Sequence, residues 1–178
     1  LYGGYGYNSS SSGILNDLWK YNPTTNKWTW VSGDNALESK GNYGTKGTAA
    51  YGNKPGARYV SASWVDADGN FWLFGGYGYD AANCGNLNDL WKYNPSTNQW
   101  TWISGDNLID QKAVYGVQGS SCTTNIPGGR YVGSGWTDPN GELWMLGGYG
   151  LDANGNTGYL NDFWKYSPYS NTWTWVKG

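Results

Sequence analysis

The sequence predicts an all-β protein assembled from repeated four-stranded antiparallel units. Three observations predict it. One segment is written three times along 178 residues, each repeat carries short strand-like stretches bounded by turn chemistry, and large aromatic residues alternate along those stretches. Gly13 to Asn35 reads GILNDLWKYNPTTNKWTWVSGDN and Gly85 to Asn107 reads GNLNDLWKYNPSTNQWTWISGDN, 72 residues apart, while residues 159–178 read YLNDFWKYSPYSNTWTWVKG, shifted by one more residue. A residue that recurs at each period is expected to be scaffold. Function is therefore sought where the copies differ or where loops gather.

Four strands make one unit, in chain order a to d. Strand a is Arg58 to Val65 (RYVSASWV), echoed at 130–137, and strand b is Asn70 to Gly76 (NFWLFGG), echoed at 142–148 and, shortened, at 1–4. Strand c is Leu15 to Tyr21, echoed at 87–93 and 160–166, and strand d is Lys27 to Ser32, echoed at 99–104 and 172–177. The connections fit hairpins. Asp66-Ala67-Asp68-Gly69 and Asp138-Pro139-Asn140-Gly141 join a to b with residues that favour tight turns. Asn22-Pro23-Thr24-Thr25-Asn26 joins c to d, with Pro presetting φ and Asn tolerating left-handed backbone. Strand alternation places Trp28 with Trp30, and Asp17 with Trp19 and Tyr21, on single faces. Sheets that carry large aromatics on both faces must be sandwiched between neighbours, and radial stacking of such sheets gives a β-propeller.

Two motifs carry a family resemblance. A double glycine closes strand b (Gly3-Gly4, Gly75-Gly76, Gly147-Gly148), and a Tyr precedes a Trp with six residues between them (Tyr21/Trp28, Tyr93/Trp100, Tyr166/Trp173). The chain resembles the kelch repeat in all three copies, and the resemblance implies a propeller of four-stranded blades. It implies two complete blades, 58–104 and 130–177, and a three-stranded partial blade, 1–32, within one propeller domain over 1–178. The period departs from kelch repeats of about 50 residues. The excess lies in two long inter-blade loops, 33–57 and 105–129. Strands b, c and d occur three times and a twice. Two blades and a partial one do not close a ring, so further blades from the same longer chain or from another chain are expected as partners.

Composition narrows the function. The 13 Trp, 16 Tyr and 29 Gly point to a packed aromatic core with many turns. The net charge of −2, with 11 scattered Lys and Arg, lacks the clustered basic footprint of a nucleic-acid binder. No apolar run approaches the ~20 residues that span a bilayer, so no membrane span is expected. The Asn/Ser/Thr/Gly/Tyr-rich, Lys-poor vocabulary suits a secreted or cell-surface protein. Without His there is no His-based triad, imidazole metal site or His general base, and catalysis is not expected.

In a four-stranded meander the a–b and c–d turns share one end, and the b–c and long d–a loops share the other. The long-loop end is the candidate binding face, since variable loops on rigid scaffolds carry function. Its candidate ligand-binding residues are Tyr7, Tyr43, Tyr51, Tyr79, Asp80, Tyr115 and Asp152. Tyr offers a flat apolar ring with a hydroxyl, suited to glycans and protein interfaces. Cys84 and Cys122 occur only in the second repeat, in loops at that same end, and are expected to form a disulfide in an oxidising compartment. Two thiols alone leave zinc under-coordinated. Asp66, Asp68 and Asn70, and Asp152, Asn154 and Asn156, space oxygens as a calcium loop does but lack its distal Glu. Turn formation is the favoured reading, calcium a minor one, and no cofactor is expected.

Gly75, Gly76, Tyr93, Trp100, Asp89 and Arg130 belong to the repeated scaffold. A buried Asp–Arg pair between strands c and a is expected, because buried charges need partners. The sequence thus points to a non-catalytic extracellular module that binds a glycan or surface protein. The competing reading is a structural subunit of an adhesin, surface layer or filament; a fragment of a secreted propeller enzyme ranks last.

Overall fold

The computed structural model describes residues 1–131 and 133–178, and these are all-β, with fourteen strands and no helix. No helix long and apolar enough to cross a membrane occurs among the described residues. The strands form three antiparallel sheets. The first has β1 (Tyr2–Tyr7), β2 (Ser12–Asn22) and β3 (Lys27–Ser32), in that order. The second has β4 (Arg58–Tyr59) and β5 (Ala62–Val65) on one side of β6 (Phe71–Tyr79), then β7 (Cys84–Asn94) and β8 (Gln99–Ser104). In the third, β10 (Arg130–Tyr131) and β11 (Ser134–Thr137) flank β12 (Leu143–Leu151). Beyond it lie β13 (Thr157–Ser167), β14 (Thr172–Lys177) and an outer β9 (Ser121–Cys122).

The turns close as their residues dictate. Asp66 Oδ1 accepts the backbone N–H of Asp68 and Asn70, at 3.1 and 2.9 Å, while Gly69 supplies a φ of 80°. Asn22 Oδ1 accepts from the Thr24 N–H, and the turn-closing Asn26, Asn98 and Asn171 all take left-handed φ of 52–56°.

Three features depart from the sequence reading. Strand a is split into β4 and β5 at Val60, whose φ of 54° is a rare backbone state for a β-branched residue. Strands b and c run further than their hydrophobic patterns suggest. The Gly-Tyr stretches pair with the start of strand c, Tyr77 opposite Asn86 and Tyr79 opposite Cys84, so Tyr5, Tyr7, Tyr77, Tyr79, Tyr149 and Tyr159 are strand residues rather than loop residues. The long loops are also not free extensions. Residues 33–57 bridge to β8 through Ala50 and Trp100, and residues 105–129 add β9 to β14, Cys122 opposite Trp173.

Two apolar clusters lie between the sheets. Leu18 of the first sheet meets Leu73, Trp91, Tyr93 and Trp100 of the second, joined by Tyr43 from the long loop. On the other side, Trp64, Trp72, Phe74 and Leu90 meet Leu143, Met145, Trp164, Tyr166 and Trp173 of the third sheet. Strand alternation sends neighbouring residues of β7, Leu90 and Trp91, into opposite clusters. Each fully buried large side chain stabilises the stack by roughly 1.5–3 kcal/mol.

Candidate functional site

A β-bulge recurs in each sheet. Asn88 and Asp89 of β7 stand opposite the single residue Gly75, Asn16 and Asp17 opposite Gly3, and Asn161 and Asp162 opposite Gly147. Bulges re-aim side chains, and this one turns the aspartate into the sheet. Gly75 takes a φ of 62°, and a Cβ there would sit 2.7 Å from the Arg130 carbonyl oxygen of the next sheet, so only glycine fits. The bulge asparagine binds the loop beyond strand d: Asn88 Oδ1 accepts the Asp106 N–H at 3.0 Å and Asn88 Nδ2 donates to Asp106 Oδ2 at 2.9 Å.

Around the aspartate stands a buried cluster, present twice. Asp89 receives two bonds from Arg58, at 2.6 and 2.8 Å, one from Trp91 Nε1 at 2.7 Å and one from the Tyr43 hydroxyl at 2.7 Å. Asp162 receives the same set from Arg130 (2.5 and 2.8 Å), Trp164 (2.7 Å) and Tyr115 (2.8 Å). Burial alone would raise the Asp162 carboxyl, but the Arg130 hydrogen bonds and charge, with the Trp164 and Tyr115 donors, hold it below the usual carboxylate range. Every carboxylate oxygen is engaged, which leaves none for a substrate. This is a structural cluster.

The ligand candidates separate accordingly. Tyr43 is buried and, like Tyr115, bonds its aspartate. Asp80 is buried too. Its Oδ1 accepts the Ala82 and Asn83 N–H groups and its Oδ2 that of Ile109, tying the b–c turn to the long loop. Asp152 Oδ1 holds its own turn through the Asn154 and Asn156 N–H groups, both at 2.8 Å. Among the described residues no group of three or more Cys, Asp or Glu gathers as a metal site would. Tyr7 and Tyr51 are exposed. Tyr79 lies under the Lys40 ammonium, 3.8 Å from the ring centroid, and the neighbouring Glu38 carboxylate, ahead of burial, pushes its hydroxyl up to about 12.

The expected disulfide is absent: Cys84 and Cys122 are both free. Cys84, the first residue of β7, pairs with Tyr79 in the second sheet, whereas Cys122 sits in β9 on the far edge of the third. The loop holding Cys122 packs on the following sheet rather than on its own, so the two thiols are carried to different layers. Burial, then Glu38, raises the Cys84 thiol; a hydrogen bond from Thr124 lowers the exposed Cys122 thiol.

One arrangement escaped the sequence reading. Five tyrosine rings form a continuous row across the second and third sheets: Tyr59, Tyr77, Tyr131, Tyr149 and Tyr159. Successive centroids lie 5.7, 5.9, 5.5 and 5.1 Å apart. The row runs along the strand ends near the b–c turns, and Tyr159 is 92% exposed. Beside it opens a cavity of about 550 Å³ lined by Tyr131, Gly148, Tyr149, Tyr159 and Leu160. Burial, then Tyr131 and Cys84, raises the Tyr59 hydroxyl, and the Cys84 thiol, then burial, raises that of Tyr77. The signal was present in the sequence: Arg-Tyr opens strand a and Gly-Gly-Tyr follows strand b in each complete unit, and the antiparallel pairing sets these tyrosines side by side.

No protein-family model and no curated protein matches this sequence.

Proposed function

We propose that the three sheets are kelch-like propeller blades, and that the chain is a non-catalytic, extracellular binding module whose ligand is a glycan lying along the tyrosine row. The row itself carries this reading. Five adjacent rings with hydroxyl edges, four half-buried and Tyr159 exposed, beside a cavity of about 550 Å³, match the alternating apolar faces and hydroxyl edges of a neutral sugar chain. The buried clusters support it from the other direction, because their carboxylates are spent on the scaffold and offer no acid–base pair. Exposed Tyr7 and Tyr51 and half-buried Tyr79 lie outside the row and would serve as flanking contacts. A surface protein is the alternative occupant of the same row.

A glycan array probed with the protein and with Tyr149→Ala tests the proposal. The expected result is a saturable signal on a defined set of neutral glycans that falls about tenfold or more for the variant, the scale on which stacked aromatic contacts act. An equal signal from both proteins would remove the row from the site, and no signal on any glycan would leave the protein-ligand reading in its place.

The structural-subunit reading is favoured by a separate observation. Trp28 is 56% exposed on the outer face of the first sheet, whereas its repeat partners Trp100 and Trp173 are 3% and 1% exposed. The outer face of the third sheet presents Trp136 stacked on Trp144 and Phe163. These two faces are equivalent to the two sides of the internal sheet–sheet contacts, so further blades of the same chain, or copies stacked end to end, would bury both. Sedimentation across a concentration series distinguishes a growing stack from a monodisperse binder.

A further inference from the structure

We infer that Tyr77 and Tyr131 form an oxidative cross-linking site, at which a peroxide-derived one-electron oxidant joins the two rings as dityrosine and staples the second sheet to the third. The site lies within the tyrosine row but does not depend on the glycan reading.

Three observations converge. First, the Tyr77 and Tyr131 rings meet edge to face with centroids 5.9 Å apart, and theirs is the contact of the row that crosses from one sheet to the next. The other neighbours, Tyr59 with Tyr77, Tyr131 with Tyr149 and Tyr149 with Tyr159, are cross-strand pairs within a sheet. Second, the backbone on both sides of the contact is held in place. Arg130, next to Tyr131, is locked onto Asp162, and the Arg130 carbonyl oxygen approaches Gly75 so closely that a Cβ there would lie 2.7 Å away. The two rings are therefore lasting neighbours. Third, both are half-buried, so each keeps an edge open to a small oxidant. Their reactive ends also converge. Burial, then the Tyr131 phenol, raises the Tyr59 hydroxyl, and the Cys84 thiol, then burial, then Tyr59, raises that of Tyr77.

The reaction needs only the two phenols and the peroxide. Each phenol gives up one electron and one proton. The two electrons break the O–O bond of the peroxide, and the protons pass to its oxygens or to water. The unpaired spin of each phenoxyl radical is shared by the ring carbons beside the oxygen, and one carbon–carbon bond forms between two such carbons. The hydrogens on those carbons then move to the oxygens, which restores both phenols. The product is two hydrogens lighter than the parent. Because the new bond joins residues far apart in sequence, it restricts the unfolded chain and stabilises the fold as a disulfide does. The Cys84 thiol beside Tyr77 is the competing group, since it returns a hydrogen atom to a Tyr77 radical.

The test is photolysis of the dilute, intact protein with a ruthenium tris(bipyridyl) sensitiser and persulfate, the peroxide of the reaction. The monomer is then isolated, digested with trypsin and read by mass spectrometry. The expected product is a monomer two hydrogens lighter in which peptide 59–92 is joined to peptide 131–165. The join should be lost in Tyr77→Phe and in Tyr131→Phe, and should be at least as abundant in Cys84→Ser as in the parent. Exposed Tyr51 and Tyr169, which lie outside the row, report that oxidation took place. The joined monomer should unfold at a higher urea concentration than the untreated protein. Oxidised Tyr51 or Tyr169 without the joined peptides, coupling confined to dimers, or a join that survives either Phe variant would overturn the inference. An unchanged urea midpoint would overturn the stapling role.

Discussion

Arg58 closes on Asp89 as a two-pronged pair, 2.6 and 2.8 Å, with neither side chain reachable by solvent. The two residues lie 31 positions apart in sequence, and their contact clamps strand a to the bulge of strand c. Removing one partner of a buried pair leaves an uncompensated charge, so Arg58→Met is expected to cost about 3–5 kcal/mol. Chemical denaturation of the variant and the parent checks this. A loss below about 1 kcal/mol, the level of a surface pair, would mean that the pair does not clamp the sheet.

The matching pair in the third sheet predicts a pH dependence. Burial works against the charged form of Asp162, but Arg130 and the neighbouring donors outweigh it, so the folded protein holds that proton less tightly than the unfolded chain. Its contribution is whole above the ordinary carboxylate value of about 3.9 and is lost as pH falls through the lower folded value. Thermal unfolding measured from neutral to acid pH should show this acid limb. The limb should be shallower in Asp162→Asn, and a limb of unchanged steepness would contradict the assignment. Asp34, Asp66, Asp138 and Asp152 are shifted the same way and leave a residual slope.

Gly75 and Gly47 both have left-handed φ, 62° and 78°, but they differ in surroundings. A Cβ at Gly75 would meet the carbonyl oxygens of Arg130 and Leu87 at 2.7 and 2.8 Å, whereas one at Gly47 meets nothing within 4 Å. Gly47→Ala is expected to cost about 1 kcal/mol, the conformational term alone. Gly75→Ala should cost clearly more, because backbone of two sheets must move. Equal losses in denaturation would show that the sheets do not approach at that point.

The thiols give a chemical check on the layering. Exposed Cys122, lowered by its Thr124 bond, should react with a thiol reagent before half-buried Cys84, which burial and Glu38 raise. Mass spectrometry of partly labelled protein reads the order. A native 84–122 crosslink found in a peptide map would contradict the placement of these residues in different sheets.

Much of the scaffold was legible because it repeats. The 72-residue period exposed the hairpins, the double glycines and the Asp–Arg pair without coordinates, since each is local or falls within one unit. Tyr43 and Tyr115 were not legible in this way. They lie in divergent loops and act on the following sheet, 46 and 47 residues away, so the loop sequence looks free while its tyrosine is committed. The cysteine pairing failed for the same reason: loop 105–129 belongs in space to the third sheet. The tyrosine row was hidden differently. Four of its members, Tyr59, Tyr77, Tyr131 and Tyr149, are repeated residues and read as scaffold, whereas Tyr159 stands where the other copies have Ile14 and Asn86, so the row forms only where strand pairing brings repeated and unrepeated rings together.

That division between committed and available tyrosines is the central claim, and a crossed comparison of Tyr43→Phe and Tyr149→Ala tests it most directly. Each variant is measured twice, by denaturation and by titration with a glycan selected on the array. Tyr43→Phe should lose about 1.5–3 kcal/mol of stability, the worth of a buried hydrogen bond to a charge, and keep the parent affinity. Tyr149→Ala should lose about tenfold or more in affinity and unfold close to the parent. If Tyr43→Phe weakens binding while Tyr149→Ala leaves it unchanged, the row is not the ligand surface and the long loop is.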